Sequence, residues 1–231
     1  MDMGEGLKIL CIYCAGGAGR EIAELAVSIN SIDKKKWKEI VFVDDNKELE
    51  KSINGFKAYS FKEITRNYEI NNIEFVISSG EPYIRKTISD KLVQKNCSFV
   101  SLFHAGFINF RFTEIGFGNI IDFGSQLSCN VTIGNNNYIN RSVSLSHDVK
   151  IGNNCVISPC AIITGNVTIG DNTFIGAGAI IRNGVSIGNG SVIGMGSVVV
   201  RDTEENAVVV GNPAKAVRFN NDKRVFTSKG N

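Results

Sequence analysis

From residue 115 onward the chain places an aliphatic residue at every sixth position: Ile115, Ile121, Leu127, Ile133, Ile139, Leu145, Ile151, Ile157, Ile163, Ile169, Ile175, Ile181, Ile187, Ile193 and Val199. The residue two before most of these is small or β-branched, as at Val131, Val143, Cys155, Ala161 and Val185. A helix repeats its apolar positions at 3.6 and a lone strand at 2, so neither accounts for a period of six. Short strands joined by tight corners do, with one large and one small residue per strand pointing inward. A slower period lies over the first. Gly follows the anchor at 116, 134, 152, 170 and 188, every eighteenth residue. Three hexads therefore make one turn of a triangular parallel β-helix. Residues 113–202 supply five turns, roughly 24 Å of stack at about 4.8 Å per layer. Gly and Asn are expected where the corners need unusual backbone angles. Each turn buries its anchors only by stacking on the next.

The first hundred residues follow another rhythm. Apolar runs at Leu7 to Tyr13, Trp37 to Val43, Glu74 to Ser78 and Ser98 to Phe103 read as strands, with helices over Arg20 to Ile29 and about 82–95. Alternating strands and helices predict a small parallel sheet of Rossmann type. The expected division is a Rossmann-like domain over 1–103, a linker over 104–112, the β-helix over 113–218 and a polar tail over 219–231. That tail is expected to be mobile or to pack loosely on a neighbour.

The turn after the first strand is rich in glycine (Gly16, Gly17, Gly19) and puts free N–H groups and a helix start beside a phosphate. A dinucleotide fingerprint would have Gly at 14, 16 and 19, and position 14 is Cys. A nicotinamide cofactor is therefore disfavoured. Asp44 and Asp45 end the second strand, where ligands of such sheets bind; a helix cap is the plainer role. Gly80 has the same position after the third strand.

Composition narrows the function. The chain has 231 residues, 43% of them hydrophobic, with 25 basic against 23 acidic side chains. That balance leaves no footprint for nucleic acid and no basic membrane patch. No apolar run approaches the roughly 18 residues that span a bilayer, and the first six residues lack a signal-peptide layout. The six cysteines show no framework spacing, so reduced thiols and a cytoplasmic protein are expected. Only His104 and His147 are histidines. A γ-class carbonic anhydrase shares this kind of solenoid but needs three for its zinc, so that reading is excluded and no metal is expected. His104 reads as a linker residue. His147 shares a corner column with Cys129, Gly165, Asn183 and Arg201, points outward, and is followed by Asp148.

These motifs together resemble the NeuD-type sugar acyltransferase family, especially its nucleotide-amino-sugar N-acetyltransferases, within the left-handed β-helix acyltransferase superfamily. The resemblance runs from about 7 to 218. It rests on Gly16-Gly17-Ala18-Gly19-Arg20-Glu21, Asp44-Asp45, Gly80 with Arg85, Ser146-His147-Asp148 and Gly211-Asn212-Pro213-Ala214-Lys215. Left-handedness is implied by the resemblance alone. It further implies that Gly16, Gly17, Ala18, Asp44, Asp45 and Gly80 hold a nucleotide sugar. His147 would be the general base and Asp148 its acidic neighbour. Acetyl-CoA would lie against Val156, Gly165, Ala177 and Met195 in the groove between β-helices of a homotrimer. Val156 and Ala18 depart from relatives that carry His there. The implied reaction is direct N-acetylation of a nucleotide-linked 4-amino-4,6-dideoxy sugar. The alternatives are O-acetylation of a sialic acid or related sugar and, more remotely, a non-catalytic structural solenoid.

Overall fold

The computed structural model describes residues 7–32, 35–46, 50–108 and 110–226. The expectations for residues 1–6 and for the end of the tail, 227–231, lie outside the described residues. The first domain contains β1 (Lys8–Tyr13), α1 (Gly17–Ile32), β2 (Trp37–Val43), β3 (Ser52–Ile53) and β4 (Phe56–Tyr59). It continues through α2 (Phe61–Asn67), β5 (Ile73–Ile77), α3 (Pro82–Gln94) and β6 (Ser98–Phe99). The strands form one sheet in the order β3-β4-β2-β1-β5-β6, parallel except for the β3–β4 hairpin. Alternation along β1 sends Leu10 and Ile12 to the α1 side and Ile9 and Cys11 to the α3 side, so both sheet faces are covered.

The hairpin and α2 were not among the elements expected. Both have local signals: Asn54-Gly55 adopts positive φ (50° and 84°) at the hairpin turn. Ser60 and Glu63 form a reciprocal capping box at the start of α2. The expected strand over Ser98 to Phe103 divides in two. Ser98–Phe99 pairs with β5, whereas β7 (Leu102–Phe103) pairs with Ile120–Ile121 of the β-helix. The chain steps from one sheet into the other at residues 100–101.

The solenoid has three parallel faces, visited in a fixed order. A polar face begins at Glu114–Ile115, a second face at Ile120–Ile121 and a third at Gln126–Leu127, and each repeats every eighteen residues. The anchors and the small residues two before them fill the interior, for example Ile157, Ile163, Cys155 and Ala161. The residue before each anchor points outward and sets the character of its face. Thr132, Lys150 and Thr168 make the first face polar. Ile120, Tyr138, Val156, Phe174 and Val192 make the second apolar, and the α/β domain covers it. The third is mixed: Gln126 and Ser144 low in the stack, Ile162 and Ile180 above.

The corners carry the expected glycines and asparagines at unusual backbone angles, at one fixed position. The glycines just after the anchors do not have positive φ. That angle occurs three residues after the anchor, at Gly118, Gly124, Asn130, Asn136, Ser142, Asp148, Asn154, Cys160, Asn166, Asn172, Gly178, Gly184, Gly190 and Gly196. Glycine after the anchor answers a steric need instead: a Cβ on Gly134 would stand 2.6 Å from the Gly152 carbonyl oxygen of the next coil. The tail corrects an expectation. An antiparallel hairpin, Ala207–Gly211 with Ala214–Phe219, closes the apolar face, and residues 220–226 then pack back onto the α/β domain of the same chain.

The stack predicts two unequal mutants. Ile163→Ala opens a cavity between coils and should lower unfolding stability by about 2–5 kcal/mol. Thr168→Ala, on the exposed polar face, should change it by less than about 0.5 kcal/mol. Urea unfolding checks both, and equal losses would contradict this division of inside from outside.

Candidate active site

His147 stands at the corner where the chain leaves the mixed face, just after Ser144–Leu145. The corner is pinned from both sides, since Asp148 N donates to Cys129 O (3.1 Å) and Asn166 N to His147 O (3.0 Å). The next residue must take the left-handed conformation, and Asp148 does so at φ 59°. Aspartate tolerates that region because its short polar side chain finds local partners. Here the partner is the preceding imidazole: His147 Nδ1 lies 2.8 Å from Asp148 Oδ2. The other carboxylate oxygen accepts from Asn130 Nδ2 at 3.0 Å. Asn130 occupies the same corner one coil below, eighteen residues earlier, so two coils clamp one carboxylate. Those bonds from His147 and Asn130 hold the Asp148 carboxyl below the usual carboxylate range.

A carboxylate accepts only, so Nδ1 carries the proton and Nε2 keeps its lone pair. Nε2 makes no hydrogen bond among the described residues. It faces Gly165 of the next coil, where an added Cβ would stand 2.6 Å from it. Glycine there is what leaves the ring its position. The Gly165 N–H is likewise outside the coil ladder, which runs through Thr164 N and Asn166 N.

Beside His147, on the mixed face, lies a groove of about 490 Å³. Its floor is the lower two rungs (Gln126, Ser144, Ser146) and its wall is the chain at Phe107, Ile108 and Phe110. His104 is part of that wall rather than an open linker residue. Its Nε2 meets Ser125 O at 3.2 Å and its Nδ1 accepts from Gly106 N at 3.1 Å. Both ring nitrogens are engaged, which leaves His147 as the histidine with a free basic atom.

The contacts implied for the acyl donor divide. Gly165 sits with His147 on the edge leaving the mixed face. Ala177 and Met195 lie on the edge entering it, and Met195 is 82% exposed. Val156 lies on neither edge of this chain. It is 3% exposed and packed under the α/β domain. The residue before an anchor points outward, but on this face outward means into the domain contact. Sequence reading missed Asn130, although the eighteen-residue period places it under Asp148. It placed Arg201 in the column of His147 but missed Arg182, which stands on the same edge in the column beside it. Neither makes a side-chain hydrogen bond or ion pair among the described residues.

In the α/β domain, Gly16, Arg20, Asp44 and the hairpin tip at Ile53 and Asn54 line a cleft of about 460 Å³. Cys14 takes φ 83° where a dinucleotide fingerprint would have glycine. Gly19 is required, because a Cβ would overlap the Cys14 carbonyl oxygen. Gly17 is exposed as the first residue of α1, and Ala18 is half-buried against the apolar layer. Asp44 organises the cleft, accepting from Ala15 N (2.9 Å) and Asn46 N (3.0 Å). Asp45 turns away. It accepts from Tyr13 OH (2.6 Å), Lys91 Nζ (2.6 Å) and Phe61 N (2.9 Å), the last a free N–H at the start of α2. Desolvation raises the Asp45 carboxyl, but these three bonds outweigh it and hold it below its usual range. Gly80 does not line the cleft either; it faces the Phe226 ring. Among the described residues, no group of three or more His, Cys, Asp or Glu is placed to hold a metal ion.

Comparison with known proteins follows this division of the chain. Residues 9–92 match the PglD N-terminal domain, 130–165 the bacterial transferase hexapeptide (six repeats), and 166–201 the hexapeptide repeat of succinyl-transferase. No curated protein matches. Among solved structures, the acetyltransferase domain of PglB from Neisseria gonorrhoeae FA1090 is 27% identical with a TM-score of 0.84, over 91% of this chain and 100% of that one. It has also been solved in complex with acetyl coenzyme A. WeeI from Acinetobacter baumannii AYE is 25% identical, TM-score 0.82, over 91% and 100%. PerB from Caulobacter crescentus, solved with CoA and GDP-perosamine, shares the fold at 22% identity and TM-score 0.81, over 90% and 97%. The chain thus carries a PglD-type N-terminal domain leading into transferase hexapeptide repeats, and its likeness to these acetyltransferases extends to the architecture, an α/β domain followed by a left-handed parallel β-helix.

Proposed function

We propose that the protein transfers the acetyl group of acetyl-CoA to the amino group of a nucleotide-linked 4-amino-4,6-dideoxy sugar. The observation that carries this is the His147–Asp148–Asn130 clamp, which leaves one basic nitrogen facing a groove and a glycine. The sugar nitrogen attacks the thioester carbonyl, Nε2 of His147 takes its proton and Asp148 stabilises the imidazolium; collapse of the tetrahedral intermediate then breaks the C–S bond, and the imidazolium returns the proton to the departing CoA thiolate. The Gly165 N–H, without a hydrogen bond among the described residues, would donate to the tetrahedral oxyanion. Transfer is direct: among the described residues no serine or cysteine hydrogen-bonds to His147, so nothing is activated as a nucleophile. The relatives solved with acetyl coenzyme A, or with CoA and GDP-perosamine, support both substrates.

The edge above His147 supports the donor. Arg182 and Arg201 stand there about 10 and 14 Å higher, at two and three rungs of about 4.8 Å. A CoA with its thioester at His147 and its arm along the coil would bring its phosphates to them. The separation of the two edges supports a homotrimer. On one chain the mixed face divides His147 and Gly165 from Ala177 and Met195. The α/β domain, moreover, leans on the entering edge through Glu21 and Arg141. A second copy packed on the exposed Ile162 and Ile180 brings the two kinds of edge into one groove. Among the described residues no helix is long and apolar enough to cross a membrane. All six cysteines are free, which suits a cytoplasmic enzyme supplied with acetyl-CoA.

Thiol release from acetyl-CoA, measured across UDP-, dTDP- and GDP-linked 4-amino sugars and against free sialic acid, tests the reading. Turnover with sialic acid alone would replace N- by O-acetylation, and no turnover with any sugar would remove the activity. His147→Ala should lose about 10²–10⁴-fold in kcat while still binding acetyl-CoA, with Asp148→Asn losing less. Ping-pong kinetics or an acetylated protein would overturn direct transfer.

Two further substitutions separate the substrates. Asp44→Ala should raise KM for the nucleotide sugar and leave that for acetyl-CoA unchanged. Asp45→Ala should instead lower Tm, because its three partners are structural. Arg201→Ala should raise KM for acetyl-CoA alone, by a factor that shrinks as salt is added. A salt-independent change would argue against a phosphate contact.

A further inference from the structure

We infer that residues 220–226 are a strap that positions the loop at residues 79–81 and, through it, sets affinity for the nucleotide half of the acceptor. The inference rests on the α/β domain being the nucleotide site.

The strap is anchored at the top of the β-helix. Asn220 is 2% exposed. Its N–H donates to Asn206 O (2.7 Å), and its Oδ1 accepts from Arg224 N (3.0 Å). Lys223 lies 5.4 Å over the ring of Tyr83, whose hydroxyl donates to Asn206 Oδ1 at 3.2 Å. The chain then meets Glu81. Val225 N and Phe226 N donate to its two carboxylate oxygens at 2.9 and 2.7 Å. Glu81 directly precedes α3 yet makes no side-chain cap bond to it. Its charge is committed to the strap, in the stronger class of hydrogen bond. The Phe226 ring packs edge-on against Phe174 at 5.5 Å between centroids, and a Cβ on Gly80 would stand 3.8 Å from that ring. Val225 joins the apolar layer between the domains.

The loop so held is coupled to the glycine-rich turn. Ser78 Oγ donates to Tyr13 O (2.8 Å) and Cys14 O (2.7 Å), two residues before Gly16. A connected series of contacts therefore runs from the strap through Glu81 and Gly80 to Ser78 and the backbone that borders the cleft. Loops at the ends of sheet strands move unless tied. This one is tied by the chain's own end. Glu81 and Phe226 are positioning residues, since neither lines the cleft.

The test uses the full chain with Phe226→Ala and, separately, Glu81→Gln. Hydrogen exchange reads residues 78–82, and calorimetry with UDP, dTDP and GDP reads nucleotide affinity. Both variants should exchange the loop amides faster. The diphosphate that wild type binds should be held about tenfold more weakly, the scale set by losing a charge-assisted contact. Acetyl-CoA affinity should stay within about twofold. Unchanged loop exchange, or faster exchange with unchanged nucleotide affinity, overturns the proposal. So does an equal loss of acetyl-CoA affinity, which marks general damage. Wild type binding none of the three diphosphates would be a separate failure, that of the nucleotide reading, and the strap's role would fall with it.

Discussion

Coil-to-coil registry is the constraint on which the rest of this structure depends. Every backbone bond of the ladder, such as Ser144 N to Ala161 O or Gly152 N to Ile169 O, requires the chain to turn three identical corners per layer. Each corner needs one residue at positive φ, and most side chains resist that angle. Asparagine and glycine therefore fill most of these sites. The consequence is a protein whose surface columns are as regular as its core. A side chain placed at one corner has a neighbour from the coil below and another from the coil above, with no loop free to relax between them.

The pair proposed as catalytic, His147 and Asp148, uses that regularity. At most corners the left-handed residue has only a geometric task, but at Asp148 the same φ of 59° also turns a carboxylate toward the preceding imidazole. Asn130, in the same role one coil lower, supplies the second bond, and Gly165, one coil higher, supplies the space. Base, orienting acid and clearance are three successive occupants of two adjacent columns. Such a site costs little reorganisation when proton transfer begins, because stacking has already fixed each member.

Much of this was legible in the sequence because periodicity carries it. The six-residue repeat carries the solenoid, the eighteen-residue repeat its three faces, and the column of His147 an outward imidazole with room beside it at Gly165. Features set by contact between domains were not legible in that way. Val156 has the sequence position of a groove residue, but the α/β domain buries its face. Asp45 looks equivalent to Asp44, yet a one-residue step along the chain end sends it to Tyr13 and Lys91 instead. The tail looked featureless because its order comes from Glu81, well over a hundred residues away. The same long-range logic divided the expected strand over Ser98 to Phe103, whose two halves pair with different sheets.

Arg85 shows how firmly the two domains are joined. It is fully buried, and its guanidinium donates to Ile77 O, Ser79 O and, across the domain boundary, Asn136 O. Burial lowers its pKa to about 10, so it remains charged at neutral pH. A buried cation without a carboxylate is costly unless carbonyl dipoles replace the lost water. Here those dipoles come from the end of β5 and from a left-handed corner of the coil, and removing either element strands the charge. The α/β domain is therefore seated on the β-helix by a polar lock as well as by the apolar face around Tyr138 and Phe174. The cleft at Asp44 and the coil carrying His147 consequently hold a fixed relation.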